Sequence, residues 1–294
     1  MTKHDHNSIT LWKLQSIEQF KYRIRTEMLS NTHGDQNEPL AKYIWNTPGS
    51  IDVQYINSFE IEDTKVAMKK KLSKYYEDDV MYHVNEYGFR GNIDFTTKNN
   101  IATFGCSFTY GVGLPESDIY GKLVASSLNK NLYNFGAPGS GIGKMCRYFS
   151  ITSDWFNYDT ALFMLPELYR VEHPSIDHEN LVIGRNLLPS DKTYEQLKTT
   201  FMYLDDEHFF VELYRNINHI LSIASAKNIK VYFSSWDYLT YNHLIKYLGK
   251  DNKMLLPYFN DNRITLSHAR DGKHSGGELH KNFADKVIGV LNEN

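Results

Sequence analysis

This chain of 294 residues has few cysteines and no excess of positive charge. The two cysteines, Cys106 and Cys146, are too few for a disulfide framework, and their spacing does not match a structural metal site. The 32 basic residues are balanced by 35 acidic ones, which gives a net charge of −3. Without a basic surplus, the composition does not favour binding to nucleic acid or to an acidic membrane surface.

Long apolar runs are also absent. The segment Met1–Ser8 is polar and lacks the apolar core of a secretory signal peptide. No run approaches the roughly 20 apolar residues that a membrane-spanning helix needs. We therefore expect a soluble, cytoplasmic protein without a membrane partner, and no feature of the sequence indicates its oligomeric state.

Strand-like and helix-like segments alternate from residue 101 onward, and a hydrophobic content of 41% is enough for one sizeable core. The predicted strands are Ile101–Phe104, Leu132–Phe135, Ala161–Leu165, Ile229–Phe233 and Ile264–Leu266. The predicted helices are Ile119–Leu128, Gly141–Phe156, Asp205–Ala226 and a last one that opens with Ser275 and Glu278 as a capping box. This alternation predicts a three-layer α/β/α domain around a central, mostly parallel sheet of about five strands.

Residues 1–95 form a region with a less clear pattern. Leu11–Met28 and Thr64–Tyr76 have helical patterns, and no flexible linker separates this N-terminal extension from the main domain at 96–294. We expect it to pack against that domain. Residues 172–200 interrupt the alternation, either as part of a substrate site or as a surface loop.

The sequence Ile101-Ala-Thr-Phe-Gly-Cys-Ser107 ends a buried strand at a tight turn that carries a serine. Ligands of open α/β sheets bind at the carboxyl ends of the strands. Near the other end of the chain, Asp271-Gly-Lys-His274 brings a carboxylate and an imidazole into one short loop. Acyl transfer needs a hydroxyl, a base and a carboxylate that orients the base. Taken singly, Ser107 also fits an ordinary turn serine, and Asp271 and His274 also fit a polar loop.

These segments resemble the SGNH (GDSL-type) serine hydrolases. Gly105–Gly111 is similar to their first block, Asn134–Gly139 to their second, and Asp271–His274 to their last. Val84–Gly91 also resembles the Asn-x-x-Gly-Phe-Arg segment that precedes the first strand in many members. The resemblance covers roughly residues 84–294.

For this sequence the resemblance implies a Ser-His-Asp triad. Ser107 would be the nucleophile, His274 its base and Asp271 the residue that orients His274. The backbone N–H groups of Ser107 and Gly139 would hold the oxyanion. The alternative for Gly139 is a loop glycine chosen for its positive φ.

Two positions depart from the pattern of the family. Cys106 replaces the aspartate of the first block, where a small buried residue is sufficient. The third block should supply an asparagine that completes the oxyanion hole, but the strand Thr160–Leu165 runs into a segment with Glu167 near that position. Losing one oxyanion donor typically costs on the order of 10²–10³ in rate. Either another donor takes its place, for which Arg170 is the candidate, or the enzyme is slow, or it has lost catalysis.

The resemblance implies a serine esterase that needs no metal or cofactor. O-acetyl groups on carbohydrates are the favoured substrate class, with lipid and aryl esters as alternatives. Trp236 follows the fourth strand, either to stack on a sugar ring or as a rim aromatic. The missing asparagine motivates a rival interpretation, a non-catalytic binding or structural module, and proteins with this block pattern also occur in viral genomes. An O-acyltransferase uses the same serine and is a third possibility.

Overall fold

The computed structural model describes residues 51–54, 81–85, 89–91, 99–176, 182–187, 206–259, 268–269 and 274–293. The strands in this part of the chain are β1 (Ile51–Gln54), β2 (Met81–Val84), β3 (Asn100–Gly105), β4 (Asn131–Asn134), β5 (Thr160–Leu165), β6 (Val171–Ile176), β7 (Val182–Leu187) and β8 (Lys230–Ser235). The helices are α1 (Ser107–Tyr110), α2 (Tyr120–Ser127), α3 (Ile142–Trp155), α4 (Asp206–Lys227), α5 (Tyr238–Leu248) and α6 (Gly277–Glu293), with a 3₁₀ turn at Glu116–Asp118.

The central sheet has the strand order β4-β3-β5-β8, and every neighbouring pair in it is parallel. Parallel sheets are covered on both faces, so their strands are apolar throughout instead of alternating with polar residues. β5 follows this rule, because all six of its residues are buried. All strands of this sheet end at the same edge, and the loops that leave β3, β4, β5 and β8 therefore meet there.

Alternate side chains of the strands enter two separate cores, which makes the domain three-layered. Phe104 and Phe163 pack on one face with residues of α3 and α4, such as Phe149 and Leu213. The other face has its own cluster, in which α2 and α6 pack against the sheet.

The predicted α/β/α fold with a central parallel sheet is confirmed, and the four strands β3, β4, β5 and β8 match the predicted ones to within two residues. The sheet has four strands within the described residues, where about five were expected. The fifth candidate, Ile264–Leu266, lies outside the described residues. The helices that we predicted in the main domain also form, as α2, α3, α4 and α6.

Three features were not predicted. β1 pairs with β2, and the interruption after β5 contains the antiparallel pair β6–β7. The helix α5 follows β8 directly, and the Asp237 side chain caps it by accepting from the backbone N–H of Thr240.

Part of the N-terminal region contributes to the main core. Tyr82 and Phe89 are almost fully buried in the cluster that also contains Phe104. The predicted helices Leu11–Met28 and Thr64–Tyr76 lie outside the described residues. Among the helices of the described segments, none has the length and apolar character to cross a bilayer.

Candidate active site

Ser107 and His274 meet at the carboxyl edge of the central sheet. The Oγ atom of Ser107 lies 2.7 Å from Nε2 of His274, although 167 positions separate the two residues in sequence. Ser107 is the first residue of α1, which begins where β3 ends, and only 8% of its surface is exposed. A hydroxyl that can donate to an unprotonated Nε2 at this distance has the geometry of a serine that is activated by a base.

Arg90 binds the end of α1, the helix that begins with Ser107, and the segment that follows it. Its guanidinium is buried and donates to the carbonyl oxygens of Tyr110, Gly111 and Leu114 at 3.0, 2.6 and 2.5 Å. The same group lies 4.3 Å from the ring centroid of Tyr82, within the range of a cation–π contact. Burial lowers the pKa of Arg90, and the partial charges of the carbonyl oxygens compensate for the desolvation of the cation.

Asn134 joins the loop after β4 to the Ser107 helix. Its side-chain amide donates to the carbonyl oxygen of Thr109 at 3.0 Å and accepts from the backbone N–H of Gly136 at 2.9 Å. A buried side chain thereby fixes the loop after β4, called the second loop below, against the turn that carries Ser107, called the nucleophile turn. Asn134 therefore bridges the loop after β4 and the helix that begins with Ser107.

Gly139 lies farther along the same loop with φ of +76°, a conformation that favours glycine. A Cβ atom on Gly139 would meet no atom within 4 Å, so the space around this backbone is open. Gly139 therefore fits its backbone conformation whether or not its N–H contacts a ligand. Its role as an oxyanion donor remains a prediction.

Glu167 and Arg170 lie in the loop that follows β5, and they form an ion pair. Arg170 Nε lies 2.5 Å from Glu167 Oε2, and the side chains are 11% and 35% exposed, respectively. The main chain of Arg170 packs directly on Gly141, since a Cβ atom there would lie 2.1 Å from the Arg170 carbonyl oxygen. The loop after β5, called the third loop below, thus contacts the loop after β4 at Gly141, two residues after Gly139. Arg170 also offsets the negative charge of Glu167.

Trp236 connects this ion pair to the nucleophile turn. The guanidinium carbon of Arg170 lies 5.4 Å from the Trp236 ring centroid. The indole Nε1–H donates to Cys106 Sγ at 3.2 Å, and the indole ring stacks on Phe108 with centroids 4.7 Å apart. Phe108 in turn places its ring against His274, at a centroid distance of 5.1 Å. Trp236 is partly buried, and it forms a wall of the site together with Phe108.

His280, six residues after His274, is buried. Its Nδ1 atom accepts from the backbone N–H of Tyr120 at 3.2 Å, and its ring stacks on the Tyr120 ring. Burial lowers the pKa of His280 to about 3, and the nearby His274 adds to this effect. His280 is therefore neutral near pH 7 and supports the site from the core.

Asp271, predicted to orient His274, lies outside the described residues, so its role stays a prediction. Within the segments that the structure describes, no group of three or more His, Cys, Asp or Glu side chains could hold a metal ion. The structure thus brings Ser107 and His274 into contact and joins Glu167, Arg170 and Trp236 in one chain of contacts beside them.

Sequence reasoning missed the supporting roles of Arg90 and Phe108. Arg90 was visible as the last residue of the Asn-x-x-Gly-Phe-Arg segment, but no pattern shows which carbonyl oxygens a guanidinium will bind. Phe108 directly follows the serine, and its packing against Trp236 depends on the distance between β3 and β8 in the sheet, which only the fold sets.

No family model and no curated protein sequence match this chain. Solved structures do match, and esterases of the G-D-S-L class are among them. The psychrotrophic esterase EstA from Pseudoalteromonas sp. is 11% identical, with 66% of this chain and 97% of that chain covered and a TM-score of 0.44. A lipolytic protein of the G-D-S-L family from Desulfitobacterium hafniense is 12% identical, with 66% and 99% covered and a TM-score of 0.40.

A carbohydrate esterase family 2 enzyme from Corynascus thermopiles is 11% identical, with 70% of this chain and 69% of that chain covered and a TM-score of 0.42. The neighbours thus include members of the class that the sequence motifs resemble. With identities of 11–12% and TM-scores of 0.40–0.44, they do not assign this chain to a family or an activity.

Proposed function

We propose that this protein is a serine ester hydrolase in which Ser107 attacks the acyl carbon and His274 accepts the serine proton. The observation that carries the proposal is the 2.7 Å distance between Ser107 Oγ and His274 Nε2 at the carboxyl edge of the sheet. Asp271, three residues before His274, is the residue that we propose to orient the imidazole.

The reaction follows from these groups in two stages. Ser107 Oγ forms a bond to the ester carbon while its proton passes to His274 Nε2, and His274 then returns the proton to the leaving alcohol. Water attacks the resulting acyl-serine with His274 again as the base, which releases the acid and restores the serine. The chemistry of these side chains needs no metal or cofactor.

The oxyanion of each tetrahedral intermediate would be held by the backbone N–H groups of Ser107 and Gly139. We propose Arg170 as the third donor, in place of the asparagine of the SGNH pattern. Two contacts support this assignment: the packing of Arg170 on Gly141, and its position over Trp236, which donates to Cys106 next to the nucleophile. The ion pair with Glu167 holds the guanidinium in that loop.

We propose O-acetyl groups on carbohydrates as the substrate. The aromatic wall of Trp236 and Phe108 beside His274 supports this class, because aromatic faces suit the apolar faces of sugar rings. A non-catalytic binding module is the second candidate. It is favoured by one observation, the carboxylate of Glu167 in the loop where an oxyanion donor is expected.

The test is the intact mass of the protein after exposure to a fluorophosphonate. We expect one adduct on the wild type and on Ser222→Ala, which removes an exposed serine on α4, and none on Ser107→Ala. Acetate release from acetylated sugars should fall at least about 10³-fold in Ser107→Ala. Adding an alcohol acceptor separates a hydrolase from an acyltransferase, because the latter forms the new ester. A folded wild type that takes no adduct would contradict both enzymatic functions and leave the binding module.

A further inference from the structure

The proposed base, His274, can act only if its ring is turned in one direction. The torsion about the Cβ–Cγ bond of a histidine is broad and roughly twofold in proteins. A half-turn about this bond exchanges Nε2 with Cε1, and a carbon atom cannot accept the proton of Ser107. The carbonyl oxygen of His274 accepts from the N–H of Ala269 at 2.9 Å, which fixes the main chain and not the ring. Catalysis at Ser107 therefore needs side chains that set the orientation of the imidazole.

Phe108, the residue after the nucleophile, contacts this imidazole. The ring centroids of Phe108 and His274 lie 5.1 Å apart, and the ring planes meet at 65° in an edge-to-face arrangement. Aromatic rings at such distances prefer a defined mutual orientation. Phe108 and Ser107 are neighbours in α1, so one short helix carries both the ring that packs on the imidazole and the hydroxyl that faces Nε2. A movement of the Phe108 ring would therefore shift the base relative to the nucleophile.

Trp236 contacts the residues on both sides of Ser107. Its indole ring stacks on Phe108, with centroids 4.7 Å apart and ring planes at 28°. Its Nε1–H donates to the Sγ atom of Cys106 at 3.2 Å. The contacts form a closed circle, from Ser107 through His274, Phe108, Trp236 and Cys106 back to Ser107. The nucleophile and its base are thus tied to the same indole.

The indole is attached to a well-fixed part of the fold. Trp236 directly follows β8, and its carbonyl oxygen accepts from the Tyr258 hydroxyl at 3.1 Å. The next residue, Asp237, caps α5 with its side chain. Phe259 packs on Phe108 as well, edge to face at 5.8 Å. Side chains whose rotamers are locked by packing and hydrogen bonds are the ones that hold a catalytic group in place.

We propose that Phe108 and Trp236 are positioning residues that keep Nε2 of His274 directed at the nucleophile. Phe108 packs on the imidazole, and Trp236 holds the two residues that flank Ser107. The inference rests on the proposed ester hydrolysis at Ser107. It is separate from the proposed contact of this wall with a sugar, because a correctly placed base accelerates the hydrolysis of every ester, including esters without a sugar.

The first variant is Phe108→Leu, assayed on 4-nitrophenyl acetate and 4-nitrophenyl butyrate, which carry no sugar. We expect kcat to fall about 10²-fold with KM within about threefold of the wild type, because a misplaced reacting group slows the chemical step. The ratio of the two rates should stay within about twofold, since a displaced base slows both esters alike. A larger change in this ratio would make Phe108 a contact of the acyl chain and overturn the proposal.

Phe210→Leu is the matched control for Phe108→Leu. Phe210 is likewise partly buried, and it stacks on a histidine outside the site, His243, with centroids 3.7 Å apart. Its kcat should stay within about twofold of the wild type. An equal loss of kcat in Phe210→Leu and Phe108→Leu would mean that any lost aromatic contact slows the reaction, and it would overturn the proposal.

Trp236→Leu should also lower kcat about 10²-fold, and combining it with Phe108→Leu should add little, because both act through one contact. Additive losses would place the effect of Trp236 in its contact with Arg170 and overturn its role through Phe108. Trp236→Phe keeps an aromatic ring but not the donor to Cys106, so it should lose only about tenfold. The control is Trp155→Leu, which removes a partly buried indole where α3 ends, on the way to the start of β5, and should leave kcat unchanged.

Fluorophosphonate labelling separates a misplaced base from a loss of folded protein. We expect Phe108→Leu to take one adduct per molecule at completion, as the wild type does, but at least about tenfold more slowly. Incomplete labelling at the rate of the wild type would mean that the variant only loses folded protein, and it would overturn the proposal. Trp236→Phe is the milder variant if Phe108→Leu does not fold, and a wild-type kcat in Trp236→Phe would then overturn the proposal.

Failure of the proposed function gives a different result from failure of the positioning. NMR tests the positioning without catalysis, through the NOE between the His274 ring protons beside Nε2 and the β protons of Ser107. This NOE should weaken in Phe108→Leu and Trp236→Leu and stay unchanged in the two control variants. A wild type that takes no adduct would contradict the proposed function whatever the NOE shows. An unchanged NOE and an unchanged kcat in Phe108→Leu would overturn the inference even if the esterase is active.

Discussion

The turn that carries Ser107 and the loop that carries Glu167 and Arg170 leave neighbouring strands of one sheet, yet they are held by different forces. The Ser107 turn is fixed by buried hydrogen bonds from Arg90 and Asn134. The third loop has one buried hydrogen bond of this kind, from Thr240 Oγ1 to the carbonyl oxygen of Pro166, but its two charged side chains are held by an ion pair in which the carboxylate is 35% exposed.

The difference indicates which part of the site can vary without loss of the fold. A buried carbonyl oxygen that loses its donor costs about 1–3 kcal/mol, so the support of the nucleophile is part of the folding energy. The ion pair of the third loop is partly exposed on the side of the carboxylate only, because the Arg170 side chain is 11% exposed, so its contribution lies between those of a surface pair and a buried pair. We therefore expect its loss to destabilise the fold less than the loss of the three buried hydrogen bonds of Arg90.

Among the variants that test this comparison, we expect Arg90→Gln to have the largest effect on stability. The shorter side chain cannot reach the carbonyl oxygens of Tyr110, Gly111 and Leu114 together, so unfolding free energy should fall by about 3 kcal/mol or more. Urea unfolding measures this loss. If the protein still folds, kcat should fall with little change in KM, because the turn that positions Ser107 is loosened.

Lys122→Gln is the matched control, since it removes an exposed cation whose distance from Glu116 is 3.7 Å. It should change the unfolding free energy by less than about 0.5 kcal/mol. Similar losses in Arg90→Gln and Lys122→Gln would mean that the buried hydrogen bonds of Arg90 contribute no more than a surface charge does.

The third loop should respond in the opposite manner, with a large effect on rate and a small one on stability. We expect Arg170→Gln to lower kcat about 10²-fold while the unfolding free energy falls by about 1–2 kcal/mol, less than in Arg90→Gln. The physical reason is that Arg170, as the proposed third donor, stabilises the oxyanion more than it stabilises the folded protein. Steady-state kinetics on an acetylated sugar, together with urea unfolding, measure both quantities.

Glu167→Gln distinguishes a donor from a merely structural arginine. This variant breaks the same ion pair but leaves the guanidinium in place and removes the opposing negative charge. Its kcat should therefore stay within about tenfold of the wild type or rise. If Glu167→Gln loses as much activity as Arg170→Gln, the ion pair itself matters and Arg170 is not the donor.

The sequence allowed the central sheet to be anticipated from local signals, and the pairing of Ser107 with His274 from the resemblance of two short segments to the SGNH pattern. β3 and β5 are buried at every residue and are mostly apolar, as strands that are covered on both faces are expected to be. The carboxyl ends of parallel strands share one edge, so a serine directly after β3 had to lie at that edge.

What could not be predicted depends on contacts between segments that are distant in sequence. The stacking of Phe108 on Trp236 requires the spacing of β3 and β8. The helix α5 begins three residues after β8, in a segment for which the sequence predicted no helix. Glu167 and Arg170 are close in sequence, but the contact of the Arg170 main chain with Gly141 depends on how the two loops pack.

The last effect that we predict concerns His280, which supports the nucleophile turn through Tyr120. His280 accepts from the backbone of Tyr120, and the Tyr120 hydroxyl lies 3.0 Å from Thr109 Oγ1 on the Ser107 helix. Burial lowers the pKa of His280 to about 3, whereas Asp118 opposes this shift. The unfolded chain, in which the pKa is near 6.5, therefore binds a proton that the folded chain excludes between about pH 6.5 and pH 3.

The contribution of His280 to stability is thus fully present above about pH 6.5 and is lost as the pH falls toward 3. Between pH 7 and pH 5 the loss from this group is about 2 kcal/mol. His280→Gln keeps an acceptor for the Tyr120 N–H but does not titrate, so its unfolding free energy should fall less steeply over this range. His219→Gln, on the exposed side of α4, should keep the steep dependence of the wild type. Equal slopes for the wild type and His280→Gln would mean that His280 is not held neutral in the fold. The contact through Tyr120 would then not be an uncharged, buried support of the Ser107 turn.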